Sequence, residues 1–256
     1  MKSIIITGAT SGIGKATARK FAQEGYSLII TGRRRDRLED LSTELRSLGA
    51  GHVEVHSFDV RSFDECQAFG KQLEKSNTRV DVLINNAGLA SGFDPIHEGQ
   101  ISDWEAMIDT NVKGLAYMTK SIVPQMILRG SGHIVNVCST AGHEVYPNGN
   151  MYCASKHAVD ALTKSSRLDL YKHGIRVGQV SPGHVEETEF AEVRFHGDKE
   201  RARIYQDFNP LKSKDVADVI FFMVTRPEYV NIQDVLMMGT QQAGSNFIDR
   251  SGRKYD

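Results

Sequence analysis

The sequence predicts a single α/β domain in which a parallel sheet is covered by helices on both faces. Three observations predict it. β-rich runs alternate with stretches long enough for crossover helices, a glycine-rich turn follows the first run directly, and 256 residues with 40% apolar composition suffice for one large core. No internal repeat or low-complexity linker divides the chain, so residues 1–256 read as one domain.

The opening run "KSIIIT" is the first strand, and the helix "GKATARKFAQEG" starts just beyond it. "YSLIIT", "HVEVHSF" and "VDVLIN" are the next strands, with "RDRLEDLSTELRSLG" and "SFDECQAFGKQLEKS" as the helices between them. The long stretch "ISDWEAMIDTNVKGLAYMTKSIVPQMILRG" leads to "GHIVNVC", and the periodic "HAVDALTKSSRLDLYKHG" leads to "GIRVGQV"; "DVLMM" is the last strand. In such a sheet the active residues lie beyond the C-terminal ends of the strands. The segment from about Gly183 to Pro210 is the least regular and carries several charges, which marks it as a mobile flap over a site. A plain surface excursion is the alternative.

With 31 basic against 32 acidic residues and a net charge of -1, nothing broad in the charge points to nucleic acid. "MKSIIITG" meets glycine too soon for a secretory leader, and no apolar run approaches the roughly eighteen residues of a membrane span. A cytoplasmic location is expected. Cys66, Cys138 and Cys153 lie too far apart for a metal knuckle, and their odd number suits reduced thiols. There is no compact metal-ligand set in the sequence.

The first site signal is "TGATSGIG". Gly8, Gly12 and Gly14 permit a sharp strand-to-helix turn, and with Thr10, Ser11 and Ile13 they offer backbone N–H groups to a diphosphate. A purely structural turn is the plainer alternative. The spacing is GxxxGxG, and the absence of a "GK[ST]" ending argues against a nucleoside triphosphatase. After the second strand the chain reads "GRRRDRL" where an acidic ribose acceptor would suit NAD; Arg33 and Arg34 suit a 2′-phosphate and hence NADP. The alternative is a solvated helix start with Asp36 still reaching a ribose. At the next rims, Asp59 and Val60 are placed for the adenine, and Asn86, Ala87 and Gly88 of "NNAG" lie level with the glycine turn.

"YCASK" places Tyr152 and Lys156 four residues apart on one helical face, where the ammonium is expected to lower the proton affinity of the phenol. Ser139 ends the preceding strand and can hold a substrate oxygen beside Tyr152. Asn111 in "DTNVKG" can hold a water near Lys156 and extend a proton relay.

Together "TGATSGIG", Asp59-Val60, "NNAG", Asn111, Ser139, "YCASK" and "SPG" at Ser181 to Gly183 resemble the classical short-chain dehydrogenase/reductase family across essentially the whole chain. The resemblance implies a Rossmann-type fold with a seven-stranded parallel sheet, a nicotinamide dinucleotide, and alcohol–carbonyl interconversion. It implies that Tyr152 is the acid/base, that Ser139 orients the carbonyl and that Lys156 and Asn111 form the relay. Pro182 and Gly183, with Val185 and Thr188, match the segment that touches the nicotinamide and its phosphate. A homotetramer is also implied.

"NNAGLASG", "DWEAMIDTN", "TEF", "VRF" and "NIQDVLMM" are similar to the NADP-dependent 3-hydroxy acid dehydrogenases, also called serine dehydrogenases. This implies a small-molecule substrate of the serine, allo-threonine or 3-hydroxypropionate type, converted to its 3-oxo acid with NADP+ or formed from it with NADPH. Arg194 in "EVRF" is the candidate carboxylate clamp, a surface salt bridge being the alternative. Glu186 and Glu187 either lie solvated outside the pocket or oppose an acidic substrate. Other readings are a broad reductase of neutral aldehydes and ketones, and an NADP-sensing protein.

Overall fold

The β-rich runs become strands, and those at the centre of the sheet carry apolar side chains on both faces. β1 (Ser3–Ile6), β2 (Ser27–Gly32), β3 (His52–Ser57), β4 (Val82–Asn85), β5 (Gly132–Val137) and β6 (Ile175–Pro182) form the main sheet with a later strand. Two short strands, β7 (Val185–Glu186) and β8 (Leu211–Lys212), pair with each other before β9 (Asp234–Met237) returns to that sheet. The structure is a computed structural model and describes residues 2–204, 207–253 and 255. The main sheet has seven parallel strands in the order β3-β2-β1-β4-β5-β6-β9.

Alternation along β1 shows why both faces need helices. Ile4 and Ile6 pack with Phe21 of α1 (Gly12–Gln23), Leu38 of α2 (Arg35–Ser47) and, further along the chain, Val216 and Ile220. Ile5, between them, packs with Phe69 and Leu73 of α3 (Phe63–Lys75) and with Met118 and Ile122 on the opposite face. All three isoleucines are fully buried, each contributing about 1.5–3 kcal/mol of hydrophobic stabilisation.

The stretch read as one element from Ile101 to Gly130 is interrupted. α4 (Ile101–Met107) passes through a π-helical segment (Ile108–Gly114) into α5 (Leu115–Arg129), which Gly130 ends in the left-handed conformation. Asn111 lies in the π segment, a form that is rare and concentrated at functional sites. α6 (Asn150–Leu170) follows β5; α7 (Phe190–Arg194) lies in the irregular segment; α8 (Ser213–Thr225) supplies Val216 and Ile220 and crosses to β9. Among the described residues no helix is long and apolar enough to cross a membrane.

The chain runs outward from β1 to β3 and then returns to place β4 on the other side of β1. That reversal opens a crevice beyond the C-terminal ends of β1 and β4, where ligands bind in open α/β sheets.

Candidate active site

A cleft of about 650 Å³ fills this crevice. Its floor is the turn between β1 and α1. Gly8 and Gly12 take φ values of +63° and +51°, and a Cβ on Gly8 would lie 2.9 Å from Ala87 Cα. Gly14 is buried beneath the cleft, where a Cβ would meet Asn86 Nδ2 at 2.4 Å and Gly8 O at 2.5 Å. Asn86 Nδ2 donates to Thr7 O and Gly8 O, and Thr7 Oγ1 accepts from Asn86 N and Ala87 N, both at 3.0 Å. The "NNAG" turn therefore laces the glycine turn in place. Ser11 precedes α1 without a side-chain capping bond and the first turn has no acid, so the N–H groups of the helix start remain an anion cradle. Thr10, Ser11, Gly12 and Ile13 line the cleft here, as do Ala87 and Gly88.

Arg33 and Arg34 also line it, at the end of β2, whereas Asp36 does not. Arg34 donates to Thr10 Oγ1 at 2.7 Å and Ser11 Oγ at 3.3 Å. Asp59 and Val60 form the wall beyond β3. The Asp59 carboxylate takes three hydrogen bonds from Arg61; burial raises its pKa, but these bonds and the charges of Arg61 and Arg33 bring it below the usual range.

Tyr152 and Lys156 share the inward face of α6 with Val159 and Thr163, a spacing of three and four residues that keeps all four buried. Ser139, just beyond β5, lies by the Tyr152 phenol, where it favours the ionised form, and its Oγ also accepts from Ala141 N at 3.1 Å. The net proton affinity of Tyr152 is raised. Burial strips hydration from the phenolate and nearby Tyr146 adds to the effect, outweighing Ser139 and the charge of Arg194. Lys156 Nζ donates to Val137 O at 3.0 Å and lies 5.9 Å from the centre of the phenol ring; burial lowers its own pKa.

Asn111 stands behind the cleft rather than on its wall. Its side chain donates to Leu89 O at 2.8 Å and Ser155 Oγ at 3.0 Å and accepts from Leu89 N at 2.8 Å. The amide is thus committed to holding the turn after β4. A methyl group on Gly88 would sit 3.1 Å from Asn111 Oδ1 and 3.6 Å from Lys156 Nζ, so both side chains border that glycine.

Pro182, Gly183, Val185 and Thr188 line the opposite wall, followed by α7. The irregular segment is therefore a wall of the cleft and not a surface excursion; Tyr205 and Gln206 within it lie outside the described residues. Glu186 and Glu187 do not line the cleft, and Glu187 pairs with Lys212 at 3.6 Å. Arg194 does line it and is only 7% exposed. Its Nη1 donates to the Tyr146 hydroxyl at 3.2 Å, while Nε and Nη2 are buried without a partner among the described residues. The guanidinium carbon sits 4.4 Å from the Phe93 ring centre and 5.6 Å from that of Tyr152. This is no surface salt bridge. Two unpaired donors on a buried cation are costly and fit an incoming anion.

Several wall residues escape sequence reasoning. Tyr146, Phe93 and Phe190 surround Arg194 and Tyr152, and Ser245, Asn246, Ile248 and Arg250 arrive from the C-terminal segment. Phe190 belongs to the "TEF" stretch but carried no role there, and the others sit in no periodic run or motif; only folding brings these positions together.

Residues 2–199 match the family described as short chain dehydrogenase. Over 241 residues the chain is 41% identical to an NADP-dependent 3-hydroxy acid dehydrogenase of Escherichia coli, covering 94% of this chain and 96% of that one. It is 44% identical over 250 residues to sulfoacetaldehyde reductase 2 of Chromohalobacter salexigens, covering 96% and 98%. A closed form of serine dehydrogenase complexed with NADP+ superposes with a TM-score of 0.90 at 40% identity, covering 95% of this chain and 97% of the other.

Proposed function

The chain belongs to the short chain dehydrogenase family, and from that premise we propose an NADP-dependent oxidoreductase that interconverts small hydroxy acids and their oxo acids. The observation that carries the acidic substrate is Arg194, whose buried, unpaired Nε and Nη2 stand beside Tyr152. An anionic head group on Arg194 leaves a carbonyl one methylene away facing Tyr152 and Ser139. A 3-oxo acid has that spacing, and so does sulfoacetaldehyde, in which a sulfonate takes the place of the carboxylate. One geometry thus serves the substrates named for both relatives.

The uncapped start of α1 and the glycine turn that side chains would fill fit a dinucleotide diphosphate. Arg33 and Arg34 would hold the 2′-phosphate, Asp59 and Val60 the adenine, and Val185 and Thr188 the nicotinamide side. When bound, the dinucleotide supplies or accepts the hydride. The rest falls to the chain. Ser139 and Tyr152 hold the substrate oxygen; in reduction Tyr152 gives it a proton, and Lys156 is the neighbouring group from which the proton is replaced. Asn111 fixes the turn that borders Lys156. The Tyr152 phenol is neutral at neutral pH, the form that gives a proton in carbonyl reduction, and burial extends that form to higher pH.

The family resemblance also supports a homotetramer, and three buried free cysteines support a reducing cytoplasm. The reading is tested by rates of NADPH oxidation with 3-oxopropanoate and sulfoacetaldehyde against propanal. The anions are expected to lead in kcat/KM by at least about tenfold, the value of one charged hydrogen bond. Equal rates would move the chain to the general carbonyl reductases.

A further inference from the structure

Glu189 stands immediately before α7, between the cofactor wall and the helix that carries Arg194. One of its carboxylate oxygens accepts from Arg34 Nη1 at 2.7 Å and the other from Arg37. Arg34 reaches at the same time to the hydroxyls of Thr10 and Ser11 in the glycine turn. Partial burial raises the pKa of Glu189, yet hydrogen bonds from Arg37 and Arg34 hold it below the ordinary carboxylate range, so the group is anionic at neutral pH. Two guanidinium groups converging on one anion, one of them held by the hydroxyls of the glycine turn, form a donor set that a phosphate monoester recruits.

Resting on the NADP reading, we infer that Glu189 is an internal stand-in for the 2′-phosphate, competing with it for Arg34 and Arg37. Arg37, in the first turn of α2 and just off the cleft wall, thereby becomes a phosphate-side residue that the run "GRRRDRL" left unmarked. The competition favours the ligand. A phosphate brings up to two charges and three acceptor oxygens where the carboxylate brings one and two, and the pairs it displaces are weak because all three side chains are a third to a half exposed. Thr188, the preceding residue, lies where a Cβ on Gly12 would touch it at 3.0 Å. Displacement of Glu189 therefore acts at the joint between the glycine turn and the substrate helix, and couples the arrival of the phosphate to the position of α7.

The test uses the purified protein and two probes that need no turnover, adenosine 2′,5′-bisphosphate and adenosine 5′-monophosphate, titrated calorimetrically. Glu189→Gln is expected to tighten the bisphosphate about three- to tenfold and to move the monophosphate by less than about twofold, the scale of exposed ion pairs. Arg37→Gln is expected to weaken the bisphosphate by a similar factor. An unchanged or weaker bisphosphate affinity in Glu189→Gln would mean that the carboxylate ignores or props the arginines, and would overturn the inference alone. If the wild-type chain binds the two probes equally, the NADP reading itself fails and the inference goes with it.

Discussion

At the glycine turn, Thr7 Oγ1 accepts from two backbone N–H groups and Asn86 Nδ2 returns two bonds to backbone carbonyls. Across the cleft the start of the substrate wall has backbone bonds to β8 and β9, but α7 and its flanks are fastened mainly by side chains: Glu189 to Arg34 and Arg37, His196 to Asp103 at 3.2 Å, and Arg194 to Tyr146, beside a backbone bond from Gly92 N to Arg194 O. The cofactor side is fixed by backbone geometry that admits only glycine at key positions. The substrate side is fixed by charges and rings that can be exchanged while the chain path stays the same. Substitutions on the first side should damage binding and stability together; those on the second should redirect specificity.

The largest effect expected falls where the two sides meet. Tyr152→Phe removes the proton donor from a ring that stays packed, and kcat should fall about 10²- to 10⁴-fold with Tm unchanged. In the wild type, oxidation needs the phenolate, whose formation burial resists. Its rate should therefore rise with pH through the alkaline range, while reduction, which needs the phenol, stays level near neutrality. A Tyr152→Phe enzyme with near-normal turnover would remove the acid/base assignment.

A smaller effect separates the two sides directly. Gly14→Ala drives a methyl to 2.5 Å from the backbone oxygen of Gly8, which has nowhere to go. Overpacking of this kind costs about 1–3 kcal/mol, and thermal unfolding should show it as a lowered Tm together with weakened dinucleotide binding. Full stability with intact binding would contradict the picture of a backbone-locked cofactor side.

The same contrast explains what the sequence made legible. Seven strands, the glycine turn, "NNAG" and the Tyr152–Lys156 pair were readable because each is a local pattern: an apolar run, a spacing, or two positions on one helical face. The π-helical segment at Asn111 was not, since apolar spacing does not separate a π turn from an α turn and the side chain's partners, Leu89 and Ser155, are distant in sequence. Nor was the raised proton affinity of Tyr152, because motif spacing reports a nearby lysine and says nothing about burial. α8 escaped for a related reason: its sequence "SKDVADVIFFMVT" is apolar on most sides, without the clean stripe that marks a surface helix. Arg194 could be nominated from the family resemblance, but only the fold shows its donors buried and unpaired.

The most direct measurement is the ratio of kcat/KM for 3-oxopropanoate to that for propanal, in the wild type and in Arg194→Met, which keeps the apolar stem beside Phe93 while deleting the charge. If Arg194 holds the anionic head group, the ratio should collapse about ten- to a hundredfold, the value of a charged hydrogen bond, with the propanal rate unchanged or higher. Equal losses on both substrates would show that Arg194 only supports the wall of the cleft, and would contradict acid recognition at this site.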